Sequence, residues 1–338
     1  MANARKGTIV CLGEMLLRLS GGKDGRLFES ASLQAHFGGA EANVAITLAH
    51  LGLDSRMATV LPEGVAGDGA IEHLRRHGVD VSHIARASGR LGLYYLSPGA
   101  GIRPSSILYD RAGSTFAHAH ADAFDWPRLL DGADWLHLSG ITPALGADSA
   151  RLGLAAAQAA RALGVRVSFD GNYRATLWEQ WDCDPRAILS DYVALADLFI
   201  GNHRDIGLLL GSHFDGEGAD RRRAAAEALL EAFPNITHIA STARETLDAD
   251  HYRLSARVDG RGAAFQTEAV PLNAVIDRIG TGDAFAAGVL AALDKDVEDA
   301  ARNGLALACL KHFTSGDASV ASAADIATFR QGHFDVRR

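Results

Sequence analysis

Short apolar runs alternate with segments of helical periodicity along most of this chain, and that alternation constrains the fold more than any other feature. Thr8–Leu12 is an apolar run closed by Gly13, and in residues 40–51 apolar side chains recur at Val44, Ile46, Leu48 and Leu51 among alanines. A strand at 56–61 and a helix at 67–77, closed by Gly78, repeat the pattern. After a break it resumes, with strands expected at Trp135–Ser139, 165–169, Leu198–Ile200, 236–240, 251–258 and 264–270. Helices are expected at 147–163, 204–210, 221–232, 281–293, 297–313 and 322–329. Strand–helix alternation of this kind builds parallel β-α-β units into one sheet covered on both faces.

The break carries its own information. Residues 91–96 and Ser106–Asp110 are short aromatic-rich strands around the turn-forming Ser97-Pro-Gly-Ala-Gly101, and residues 14–36 are equally unhelical. The stretches 14–36 and 89–116 are therefore expected to form a small sheet of their own beside a single domain spanning 1–338. No internal repeat or linker divides the chain, and 338 residues suffice for one large core.

Composition narrows the function classes. Hydrophobic residues at 48% and charged residues at 22% exclude disorder and fibrous architectures. The net charge of −8, from 33 basic and 41 acidic residues, gives no basic footprint for nucleic acid or an anionic membrane. Three scattered cysteines (Cys11, Cys183, Cys309) without a C-x-x-C read as core residues in a reducing compartment. No apolar run is long enough for a signal peptide or a membrane span, so a cytoplasmic protein acting on something small is expected.

Three clusters carry chemistry. Asp277-Arg-Ile-Gly-Thr-Gly-Asp-Ala-Phe285 opens an apolar helix, where glycines on both sides of Thr281 let a ligand approach free backbone N–H groups. Asp283 falls in that helix's first turn; a capping carboxylate is the competing reading. Gly38-Gly-Ala-Glu-Ala-Asn43 opens another helix and is equally compatible with a simple turn. Ser168-Phe-Asp-Gly-Asn-Tyr-Arg174 lies at the carboxyl end of a strand, where open parallel sheets bind ligands. His73 and His77 lack the intervening Glu of a metalloprotease helix, and His118 and His120 read as solvated. Neither a Walker motif nor a strand-borne G-x-G-x-x-G occurs.

In type and order the clusters resemble the ribokinase-like carbohydrate kinases, the family named after the minor phosphofructokinase. Gly38–Asn43 matches the N-terminal signature and Asp277–Phe285 the C-terminal one. Gly92-Leu-Tyr-Tyr95, Tyr109–Ser114, Leu138–Pro143 and Asp170–Trp178 are most similar to the 2-keto-3-deoxygluconate kinases within it. The resemblance implies a three-layer α/β sandwich with a central, mostly parallel sheet and a small β-sheet lid. It implies ATP and Mg²⁺, with transfer of the γ-phosphoryl group to O6 of 2-keto-3-deoxygluconate. Asp283 would be the general base, and Gly280, Thr281 and Gly282 the anion hole. Gly39, Asn43, Tyr94, Tyr109, Arg111, Arg174 and Asp317 would contact the sugar acid, while Asn172, Asn202, Asp205 and Ser241 would lie towards the nucleotide.

Independently of the resemblance, two arginines suit a carboxylate-bearing substrate, because the Arg fork is its favoured bidentate partner. An ion pair of either arginine with Asp110 or Asp170 is the alternative. Two departures from the family pattern stand out: Asn202-His-Arg-Asp205 replaces Asn-x-x-Glu, and residues 241–247 lack the usual glycines. No metal-ligand set follows from the sequence. Kinases of 2-keto-3-deoxygalactonate, fructose or ribose are the alternatives, with a non-catalytic sugar-binding regulator behind them. An edge of the small sheet able to pair with a second subunit suggests a homodimer.

Overall fold

In the computed structural model, which describes residues 7–22, 27–29, 31–216 and 218–332, one large sheet organises the chain. From edge to edge it runs Ala264–Gln266, Tyr252–Gly260, His238–Thr246, Leu198–Ile200, Arg166–Asp170, Trp135–Ser139, Thr8–Leu12 and Asp54–Ala58. Pairings from His238–Thr246 to Asp54–Ala58 are parallel. Those made by Tyr252–Gly260, including one with Val270–Leu272, are antiparallel. Thr8–Leu12 and Trp135–Ser139 are buried throughout, as strands covered on both faces must be.

Two hydrophobic cores result. Ile9 and Cys11 face one, packed under helices Ala40–His50, Thr281–Leu290 and Val297–Lys311. Val10 and Leu12 face the other, under helices Ala147–Ala162, Pro185–Val193 and Gly218–Ala232. This is the expected three-layer α/β sandwich with a mostly parallel centre. Among the described residues no helix is long and apolar enough to cross a membrane. Cys11 and Cys309 are buried core residues.

Several elements differ from the sequence reading for local reasons. The strand expected at 56–61 is two: Asp54–Ala58 stays in the large sheet, whereas Val60–Pro62 pairs with Ala85–Ala87 separately. The strand expected at 264–270 also divides. Thr267 interrupts it, its hydroxyl accepting from the Ala256 N–H at 3.0 Å. Helix Pro185–Val193 was not anticipated, although Asp184 caps it and Pro185 opens it.

The second sheet has the order Gln34–Gly38, Leu16–Ser20, Gly92–Ser97, Ser106–Asp110. Its outer pairs are antiparallel and its inner pair is parallel. The stretches 14–36 and 89–116 thus share one sheet, the first reaching Gly38; residues 23–26 and 30 lie outside the described residues. Gly92–Ser97 alternates buried and half-buried side chains, so only one of its faces is covered.

Candidate active site

A cavity of about 850 Å³ lies at the carboxyl ends of the parallel strands, walled by residues of both sheets. Parallel strands all point their carboxyl ends the same way, so the loops after them converge on one rim. All the sequence-derived site residues line it.

One wall is the start of helix Thr281–Leu290. Gly280 precedes it with φ 76°, and a Cβ there would sit 1.6 Å from the backbone oxygen of Asp317. Only glycine fits. No side chain caps this helix, so the first-turn N–H groups are left for an anion. Gly282 is exposed to the cavity, while Thr281 turns its hydroxyl back to the Arg278 carbonyl at 3.1 Å. Asp283 faces the cavity half-buried and accepts a 2.7 Å hydrogen bond from Asn43 Nδ2. Burial pushes its carboxyl up to about 7, against the Asn43 bond and with help from the nearby Glu41 charge.

Asn43 comes from the other glycine cluster, 240 positions away. Gly39 has φ 150° and lies where a Cβ would come within 2.1 Å of the Glu14 carbonyl. Gly38 packs bare against the Asp317 carboxylate, as Gly280 does against its carbonyl. The two signatures therefore meet around Asp317.

The opposite wall belongs to the small sheet. Tyr94 is buried and donates its hydroxyl to Asp317, and its ring lies 5.9 Å from that of Tyr109. Burial drives the Asp317 carboxyl up to about 6, opposed by Arg18. Arg111 is 6% exposed and paired with Glu14, donating from Nε at 2.8 Å and also from Nη2. The partner is thus neither Asp110 nor Asp170. Arg90 takes Asp110 instead, at 2.8 Å.

The third wall is built from strand ends. Asp170 closes strand Arg166–Asp170, and Asn172 follows in the left-handed region at φ 38°. A non-glycine residue held there stores about 1–3 kcal/mol of strain, as functional loops often do. Asp170 is pushed well up by burial and by the Asp283 and Asp205 charges. Asn202 and Asp205 form a capping box on helix His203–Leu210, Asp205 Oδ2 accepting from the Asn202 N–H at 2.8 Å. Burial raises Asp205 as well. Ser241 is buried on the neighbouring strand.

Arg174 is exposed, and its guanidinium contacts the carbonyl of Tyr173. Among the described residues it has no ion-pair partner, nor do Arg204, Arg244 and Arg278, which also line the cavity. Arg244 stacks over the Tyr252 ring at 5.4 Å, but four guanidinium groups without a carboxylate partner around one opening favour a polyanionic occupant.

Sequence reasoning missed Glu14, Arg18, Glu41 and Lys311. Glu41 is buried, its carboxyl raised by desolvation although Ser139 donates to it at 2.6 Å. Arg18 and Lys311 were each marked by a charge inside an otherwise apolar element, Leu16-Leu-Arg18-Leu-Ser20 and Ala308-Cys-Leu-Lys311. Charged groups are almost never fully buried unless paired, so such placements signal a network.

An uncapped glycine-flanked helix start, an adjacent carboxylate and a cationic opening on a ribokinase-like sandwich define the architecture of a phosphoryl-transfer enzyme for small hydroxyl compounds. Residues 6–324 match the model of the pfkB family carbohydrate kinases, and the chain belongs to that family. It is 29% identical over 326 residues to the 2-dehydro-3-deoxygalactonokinase of Haloferax volcanii, covering 96% of each chain. It is 27% identical over 322 residues to the 2-dehydro-3-deoxygluconokinase of Bacillus subtilis, covering 91% of this chain and 90% of that one. The crystal structure of 2-dehydro-3-deoxygluconokinase from Thermotoga maritima superposes with a TM-score of 0.91 and 36% identity. That match covers 96% of this chain and all (100%) of the other.

Proposed function

We propose that this carbohydrate kinase phosphorylates a 2-keto-3-deoxy sugar acid, 2-keto-3-deoxygluconate, at O6 with ATP as donor. The observation that carries the reading is Asp283 beside an uncapped helix start, in a cavity that also presents Arg174. Asp283 accepts the proton of the attacking hydroxyl, and Asn43 fixes the orientation of its carboxylate. The N–H groups after Gly280 receive the charge that develops on the transferred phosphoryl group. Arg174 reaches the substrate carboxylate from the strand ends. Arg111, held by Glu14, Tyr94 and Tyr109 meet it from the small sheet, which acts as the lid. Asn172, Asn202 and Ser241 face the nucleotide.

Asp170 and Asp205 fit a role at Mg²⁺. Both are carboxylates on the cavity wall whose ionisation is disfavoured by burial. Among the described residues no group of three ligands would hold a metal alone, which suits an ion that keeps its waters and binds mainly to phosphates. Bound there, Mg²⁺ neutralises charge on the phosphate oxygens.

The Haloferax relative's name favours the galactonate epimer as a second reading. ADP release measured over 2-keto-3-deoxygluconate, 2-keto-3-deoxygalactonate, fructose and ribose separates the possibilities. Highest kcat/KM for either sugar acid supports the reading; highest for a neutral ketose or ribose overturns it, and no turnover with any would restore a binding-only role. A cytoplasmic location, where ATP is plentiful, is part of the same proposal. The exposed edge strand Ser106–Asp110, with Ile107 and Leu108 open to solvent, is the proposed homodimer contact, read by light scattering.

A further inference from the structure

Lys311 is 0% exposed, yet among the described residues it has no carboxylate within ion-pair distance. Its ammonium instead donates to two main-chain oxygens, that of Thr314 at 2.9 Å and that of Asp277 at 3.5 Å. These oxygens belong to two different loops. One is the Asp277–Gly280 turn that leads into the helix start. The other, residues 314–317, carries Asp317, against whose carbonyl Gly280 packs. The same loops are joined by the Gly316 N–H, donating to Asp277 Oδ2 at 3.2 Å, and by Arg18. That guanidinium reaches Asp277 at 2.8 Å and Asp317 at 3.1 Å.

We infer that the Lys311 ammonium is a built-in cation that clamps the Asp277–Gly280 turn to the 314–317 loop and so holds the anion hole in its working shape. Stability alone does not explain it. A buried ammonium loses its hydration, and replacing buried ions by apolar residues of similar volume is often neutral or stabilising. The Asp277, Asp317 and Asp283 carboxylates favour its charge from beyond ion-pair distance, and that with two carbonyl oxygens repays less than a directly paired carboxylate would. What the ammonium supplies, and a methionine at 311 would not, is a point charge and donors that fix two main-chain oxygens at once. The hole depends on those loops being in register, because Gly280 has no room to move towards Asp317. Lys311 is therefore a positioning residue: it touches neither substrate nor the reacting atoms.

This inference rests on the phosphoryl-transfer reading of the Gly280–Asp283 segment. It is tested on whichever sugar the wild-type enzyme turns over, so only the ratio of variant to wild type bears on Lys311. Lys311→Met keeps the stem and removes the charge and donors. It is expected to melt cooperatively at or above the wild-type temperature, with kcat lowered about 10–10²-fold. That is the scale of misplacing a catalytic group by about an ångström. KM for the sugar should stay within about threefold. A kcat within twofold of wild type overturns the inference, as does a lowered melting temperature with unchanged kcat. Should that variant fail to fold, Lys311→Ala assayed with and without methylammonium decides the matter. A rise in kcat with added methylammonium, absent in the wild type, supports the built-in cation, and no rise overturns it.

Discussion

The large-sheet and small-sheet sides of the cavity are built on different principles. On the large-sheet side, the surface is shaped mainly by backbone: a glycine-flanked helix start, strand ends and a residue in the left-handed region. Its essential parts lie within Asp277–Phe285 and Ser168–Arg174. On the small-sheet side, the surface is made by side chains that distant partners hold. Arg111 is held by Glu14 and Tyr94 by Asp317, 97 and 223 positions away. In the proposed reading the first side handles the phosphoryl group, with Arg174 alone reaching the acceptor from the strand ends. In the same reading the second faces the acceptor, and its Arg111 and Tyr94 are held by their partners in one arrangement.

The sharpest way to break this contrast is Asp283→Asn. Positioned general bases contribute about 10²–10⁴-fold, so kcat should fall by that factor while nucleotide affinity by calorimetry barely changes. Near-normal turnover would remove Asp283 from the mechanism. Gly280→Ala comes next. Its Cβ would overlap the Asp317 carbonyl, so the helix start must shift, and losing an oxyanion donor costs about 10²–10³ in kcat. Wild-type turnover in this variant would show that the hole tolerates displacement.

The arginines compare the two sides directly. Arg174 has no carboxylate partner to strand, its exposed guanidinium meeting the Tyr173 carbonyl, so Arg174→Ala should lower kcat/KM for sugar acids by about 10–10³-fold with the melting temperature unchanged. Equal losses for neutral ketoses would make it structural. Arg111→Ala, by contrast, leaves Glu14 buried and unpaired, at a cost of about 3–5 kcal/mol, and should lower the melting temperature as well.

The smallest effect is thermodynamic. Asp283 titrates near 7 when folded and near 4 when unfolded, so its proton stabilises the fold fully below about pH 4 and that support is lost by about pH 7. Asp283→Asn should therefore raise the melting temperature of the unliganded protein by a few degrees at pH 8, with the gain vanishing near pH 4. The same titration predicts that wild-type kcat/KM, which reports the free enzyme, rises through about pH 7. A pH-independent gain in stability would show that burial of the charge is not what strains this site.

The alternation of strands and helices was readable because each element buries its own periodic face, and periodicity is local. The Asp277–Phe285 and Gly38–Asn43 segments were readable for the same reason: their chemistry is that of helix starts and bare Cα atoms. What the sequence did not contain was the meeting of these segments around Asp317, or Glu14 as the partner of Arg111 in place of the nearer Asp110 and Asp170. Lys311 and Arg18 were missed: each is a charge in apolar surroundings, and nothing in the sequence says what it would hold. Local sequence sets backbone geometry through sterics and hydrogen bonding over a few residues. The partners of a buried charge are set by which distant elements packing brings within about 3 Å. Tertiary structure alone decided that, because a buried charge must find its compensation wherever the fold places it.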